Sequence, residues 1–246
     1  MVRTVDYDKR KKEVLGATVD FYVRNASAVS SEAVASILSY SSATIRNIMA
    51  DLEGLGLLTH TYTSSGRMPT DRGYRFYVDN LLLEIELLWA EKARVIREYK
   101  NSRRELNLLL EKTSEILSSL THYTGITSFV SSSEDKMFYR GMVRVLEQPE
   151  FQDLKSIKSL IALLEEKRKL LEIINQDIEE NIKVYIGREI PAEDMDNCSL
   201  VVSSYKINHK PRGRLAVLGP TRMEYAKVIP VIEYISEILS DVLSEM

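Results

Sequence analysis

Apolar residues along the first eighty positions follow a rhythm that changes from helical to extended and back. Val14, Leu15, Thr18, Phe21 and Tyr22 fall on one face of a helix over residues 8–24, with Asp6 or Asp8 as its cap. A short second helix follows, capped by Ser30 or Ser31, with Val34, Ile37 and Leu38 as its buried side. Ser39-Tyr40-Ser41 predicts a tight turn, after which Ser41 or Ser42 caps a third helix that Gly54 and Gly56 stop. Ile45, Ile48, Met49 and Leu52 face inward on this helix, so Ala43, Thr44, Arg46, Asn47 and Ala50 face outward. Residues 57–62 read as a strand, residues 63–67 as a glycine turn and Met68-Pro69-Thr70 as a returning edge strand. Thr70 or Asp71 then caps a helix carrying Tyr74, Phe76, Tyr77 and Val78. Helix, helix, turn, helix, strand, glycine turn, strand is the order of a winged helix-turn-helix.

Residues 81–120 contain no helix breaker and predict one long connecting helix. Read in sevens, one column holds Ile85, Lys92, Tyr99, Leu106, Thr113 and Leu120, and another holds Trp89, Ile96, Arg103, Leu110 and Leu117. Such a seam either pairs two copies of the chain or packs on its own domain. Beyond Gly125 the pattern predicts a strand at residues 126–130, a loop at 131–135 and a helix over residues 152–178. Strands follow at 182–186, 200–207 and 214–218, the last two joined by a turn at 208–213. Thr221 is expected to cap a final amphipathic helix interrupted by Pro230. The fold class is therefore α+β: a winged helix-turn-helix over residues 1–80, a connecting helix over 81–120, and an antiparallel-sheet domain over 121–246.

The net charge of −3 excludes a chain that coats nucleic acid through bulk basicity. Residues 1–80 hold 10 Lys and Arg against 9 Asp and Glu, so any DNA contact rests on a few placed cations. The cluster Lys9-Arg10-Lys11-Lys12 is either a solvated helix start or a phosphate contact. Cys198 is the only cysteine, which excludes an internal disulfide and suits a reducing compartment; a buried structural role is expected. His60, His122 and His209 lie in no metal-ligand spacing, and no phosphate-binding glycine loop is present. No metal, cofactor or catalytic residue is expected. The absence of a signal-peptide core or a bilayer-length apolar run makes the cytoplasm the expected location.

The third helix carries the candidate chemistry. Short polar residues at a helix start can approach base edges and phosphates in the major groove, and Ser42, Thr44, Arg46 and Asn47 supply them. Arg46 can donate twice to guanine, and Asn47 can pair with adenine. Arg67 at the glycine turn and Arg72 beyond it are candidates for the backbone, together with Ser42 and Thr44. The alternative is a plain solvated helix face.

Three stretches resemble the HrcA family of bacterial heat-inducible repressors of chaperone genes. They are the run from Ser41 to Glu53, Ser64-Ser65-Gly66-Arg67-Met68-Pro69-Thr70, and Gly73-Tyr74-Arg75-Phe76-Tyr77-Val78-Asp79. Gln148-Pro149-Glu150-Phe151, Val184-Tyr185-Ile186-Gly187, Cys198-Ser199-Leu200-Val201 and the run from Gly219 to Pro230 carry the resemblance into the second half. It implies a GAF-like second domain, a homodimer on the inverted repeat called CIRCE, release on heat, and the GroE chaperonin as a partner. The chain departs from the family where Val130 is followed closely by Phe138-Tyr139-Arg140-Gly141, so most of the usual inserted dimerising domain is expected to be missing. The seam within residues 81–120 is then expected to contribute to the dimer. A competing reading is a metabolite-responsive winged-helix regulator that uses the second domain to bind a ligand.

Overall fold

Six elements build the N-terminal fold in a computed structural model that describes residues 2–60, 66–82, 87–102, 105–130, 135–176, 181–208 and 210–245. They are α1 (Val2–Asn25), α2 (Ser31–Ala35), α3 (Ser42–Gly54), β1 (Leu58–Thr59), β2 (Met68–Pro69) and α4 (Asp71–Asn80). The chain divides into two units, Met1–Leu83 and Glu84–Met246.

In the first unit α1 begins well before the expected caps, so Asp6 and Asp8 lie inside it. Val14, Leu15 and Val19 are fully buried, and the Thr18 hydroxyl is satisfied by donating to the Val14 carbonyl at 2.6 Å. Ser30 caps α2 and Ser41 caps α3, each accepting from the amide three residues on. Val34 is buried, but Ile37 is 58% exposed. The helix stops at Ala35, so helical spacing no longer governs where Ile37 points. Ile45, Ile48, Met49 and Leu52 are all buried, as their spacing predicts.

The wing is two short antiparallel strands, with Leu58 opposite Pro69 and Thr59 opposite Met68. Of the strand expected over residues 57–62, Thr61 and Tyr62 lie outside the described residues, as does most of the glycine turn. Val29 and Arg67 exchange both backbone hydrogen bonds at 2.8 Å, tying the wing to the start of the α2 segment. Gly66 sits so near this bridge that a Cβ would lie 2.6 Å from the Val29 carbonyl oxygen. Thr70 caps α4 by accepting from the Gly73 amide at 3.0 Å and donates to the Gly56 carbonyl at 2.7 Å. The Tyr77 hydroxyl donates to Asp20 at 2.6 Å and pins α4 to α1.

In the second unit the expected single connecting helix is two: α5 (Trp89–Ser102) and α6 (Leu106–Thr121). Arg94 reaches Ser119, Glu98 reaches Lys112 and Tyr99 reaches Thr113, so the two helices run antiparallel. The heptad columns are mostly spent inside this hairpin and its domain: Tyr99, Leu110, Thr113, Leu117 and Leu120 are buried. Lys92, which interrupts the seam, lies over the Tyr234 ring at 5.4 Å. Trp89 and Ile96 remain exposed, and Ile85 and Arg103 lie outside the described residues.

The sheet contains β3 (Thr124–Phe129), β4 (Lys136–Arg140), β5 (Ile182–Ile186), β6 (Cys198–Ile207) and β7 (Lys210–Pro220), in the order β4-β3-β7-β6-β5, all antiparallel. The central strands β6 and β7 are buried at nearly consecutive positions, which requires cover on both faces of the sheet. α7 (Met142–Leu146) follows β4. The helix expected over residues 152–178 breaks at Glu166 into α8 (Leu154–Glu165) and α9 (Lys167–Asn175). α10 (Tyr225–Ser244) packs along β6 and runs through Pro230. It starts four residues after Thr221, whose carbonyl instead accepts from the Tyr225 hydroxyl at 2.8 Å, so Thr221 is not its cap.

Two of the signature motifs meet in this unit. Arg222, 8% exposed, donates to the Glu150 carboxylate and to the Gln148 side-chain oxygen at 2.8 Å. Gln148-Pro149-Glu150-Phe151 and Gly219-Pro220-Thr221-Arg222 are thus two halves of one nearly buried polar lock.

Candidate nucleic-acid interface

α3 presents one apolar and one polar face, and the exposed one begins at its N-terminus. The Ser41 side chain accepts from the Thr44 amide at 3.1 Å and lies 2.9 Å from the Thr44 hydroxyl. This fixes the first turn and leaves Ser42 and Thr44 half-buried. Ala43, Arg46, Asn47 and Ala50 are exposed on the same helix. A helix start with short polar side chains and an exposed Arg-Asn pair has the composition that major-groove reading requires.

Four of the six residues singled out by sequence therefore lie together at the start of α3. Arg72 is also exposed, in the first turn of α4, where its guanidinium approaches Gly56. Arg67 is placed differently. Its guanidinium pairs with Glu53 at 2.9 Å, with only a fifth of its side chain exposed, and His60 pairs with the other oxygen of the same carboxylate. Glu53 thus gathers the last turn of α3 and both sides of the wing, and Arg67 is a strut of that base. Part of the basic cluster of α1 is likewise engaged: Lys11 pairs with Asp51 of α3 at 3.9 Å, and Arg10 lies over the Tyr40 ring at 5.5 Å.

Two acids at this site escape a reading by spacing. Glu53 lies in the last turns of α3, and nothing local marks it as the acceptor for His60 and Arg67. Glu32, in the first turn of α2, pairs with Arg46 at 3.2 Å, and both side chains are about two-thirds exposed. Its backbone amide and then the Ser30 hydroxyl hold the Glu32 carboxyl below the ordinary carboxylate range, with Ser31 and Arg46 adding to the effect. A carboxylate in a first helical turn is the one weak signal that could have drawn attention to it.

Among the described residues no cluster of His, Cys, Asp and Glu could hold a metal ion, and no helix is long and apolar enough to cross a membrane. Cys198 is buried, and burial, reinforced by the Glu150 charge, pushes its thiol up to about 12.

A helix-turn-helix with a paired-strand wing and an exposed polar helix start defines the first unit as a winged-helix DNA-binding domain, and residues 7–80 match the family described as winged helix-turn-helix transcription repressor, HrcA DNA-binding. Residues 126–229 match the HrcA protein C terminal domain. The chain belongs to the HrcA family. It is 30% identical to the heat-inducible transcription repressor HrcA of Pelotomaculum thermopropionicum, with 97% of each chain covered. It is 28% identical to that of Geobacter sulfurreducens, covering 97% of this chain and 98% of the relative. The alignment with the Pelotomaculum protein runs over 339 positions against the 246 residues of this chain, so the relative has stretches with no counterpart here. A crystal structure described as a hypothetical protein at 2.2 Å resolution has the same fold, with a TM-score of 0.75 at 20% identity, covering 96% of this chain and 98% of the other.

Proposed function

We propose that this protein is a DNA-binding transcription repressor of heat-shock chaperone genes, without catalytic activity, acting in the cytoplasm. The observation that carries this reading is the match to HrcA repressors along both units of the chain. It binds double-stranded DNA at an inverted repeat of the CIRCE type as a homodimer, because a two-fold protein reads a two-fold site. It leaves the operator on heat stress, and the GroE chaperonin is its partner in regaining the active form. Arg46 and Asn47 read bases, while Ser42, Thr44 and Arg72 hold the backbone. Arg67 supports the wing and reaches the backbone only by sharing or leaving Glu53. The family match supports this reading over the metabolite-responsive one.

A footprint on DNA upstream of the chaperone genes, at low and raised temperature, tests the proposal. Protection of an inverted repeat that disappears on heating is expected. Protection indifferent to temperature, or spread without sequence preference, would count against it. Arg46→Ala is expected to weaken binding to the protected repeat far more than to a shuffled duplex.

A further inference from the structure

Glu32 stands where a DNA-binding face ordinarily has no use for an acid. It is fully ionised at neutral pH, exposed, and anchored at the start of α2. The Ser31 hydroxyl donates to its Oε1 at 3.2 Å, and Arg46 donates to the same oxygen at 3.2 Å. Ser30 fixes the turn beneath it by accepting from the Ala33 amide at 3.1 Å. An exposed pair of this kind adds little to folding stability. Its consequence lies in what it lets Arg46 do.

We infer that Glu32 is a positioning residue that reserves Arg46 for a base edge and withholds it from the phosphate backbone. The inference rests on the proposed reading of α3 as the helix that contacts DNA. A guanidinium has five N–H donors in a rigid fork. With one N–H of Nη2 given to Glu32, its second N–H and an adjacent guanidinium N–H still form a fork for the two acceptors that guanine presents in the major groove, N7 and O6. Arg46 can then read guanine while the Glu32 charge stays neutralised. Swinging to a phosphate breaks the pair and leaves a bare carboxylate facing the negatively charged backbone. The pair therefore penalises nonspecific contact and tolerates specific contact.

The test titrates the full-length protein onto a duplex carrying the footprinted repeat and onto a shuffled duplex of equal length, across a range of salt. For Glu32→Gln, binding to the shuffled duplex is expected to tighten. Its salt slope should steepen by about one unit per protomer as Arg46 gains a phosphate. Preference for the repeat should fall about tenfold, within the range of one bidentate base contact. In an Arg46→Ala background, Glu32→Gln should leave the preference unchanged. Unfolding temperatures should match wild type, since both side chains are exposed. An unaltered preference, a parallel change on both duplexes, or a loss confined to the repeat would each overturn the inference, the last because Glu32 would then contact a base itself. Wild-type protein that fails to distinguish the two duplexes would overturn the repressor reading along with it.

Discussion

The hydroxyls of Tyr99 and Thr113 lie 2.9 Å apart, fully buried, where α5 and α6 fold back on each other. Thr113 already donates its proton to the Leu109 carbonyl at 2.8 Å, so Tyr99 is the donor of the pair. The two partners are therefore not equivalent. Tyr99→Phe removes the donor and leaves Thr113 satisfied, so it is expected to cost about 1 kcal/mol. Thr113→Val leaves the Tyr99 hydroxyl buried without its acceptor and is expected to cost about 1–3 kcal/mol. Urea unfolding of both variants checks the order, and a reversed order would contradict the assignment of donor and acceptor.

Gly73 sets the geometry of the wing in a different way. Its Cα packs directly against the Leu57 carbonyl, and a Cβ there would overlap that oxygen. The obstacle is backbone on both sides, so neither α4 nor β1 can yield cheaply. Gly73→Ala is expected to destabilise the first unit by about 1–3 kcal/mol. It should also weaken binding to repeat and shuffled DNA alike, because the whole wing shifts. Thermal unfolding and the two-duplex titration together read this.

The Arg222–Glu150 lock should behave as a nearly buried ion pair. Its side chains are 10% and 18% exposed. Arg222→Met strands the Glu150 carboxylate in a poorly solvated site and is expected to cost about 3 kcal/mol. Replacing both, as Arg222→Met with Glu150→Leu, should recover much of that loss, because no buried charge remains. Denaturant midpoints at constant slope give the comparison.

Alkaline pH should weaken the second unit. The folded Cys198 thiol keeps its proton up to about 12, whereas an unfolded thiol loses it near about 8.5. Burial shifts the Tyr99 and Tyr205 phenols the same way. The unfolded chain then binds fewer protons than the folded one above about pH 9, so stability falls as pH rises toward 12. Cys198→Ala should flatten that fall by at most about 1.4 kcal/mol per pH unit. The single thiol should also resist iodoacetamide in native protein at pH 8 and react after denaturation.

Local order was legible where one face of an element meets one core. The spacing of Ile45, Ile48, Met49 and Leu52 is enough to orient α3, and the strand at residues 182–186 is found as β5 without adjustment. The hairpin of α5 and α6 was not legible, because the heptad columns continue through it. An apolar seam has the same spacing whether it meets a second copy or the next stretch of its own chain. Nor did residues 152–178 announce their break, since Glu166 is no worse a helix former than its neighbours.

The candidate DNA face divides along the same line. By itself the sequence determined which residues stand at the exposed start of α3, because Ser41 caps the helix and 3.6-residue periodicity turns Arg46 and Asn47 away from the core. It also determined the family, through motifs that keep their order along the chain. Only the tertiary structure decided which charges those residues meet. Glu32 reaches Arg46 because a turn folds α2 against α3, and Glu53 takes Arg67 because the wing closes over the end of α3. Periodicity carries information over one or two helical turns. An ion pair between residues fourteen apart depends on the packing angle of two elements, and that is set by the core beneath them.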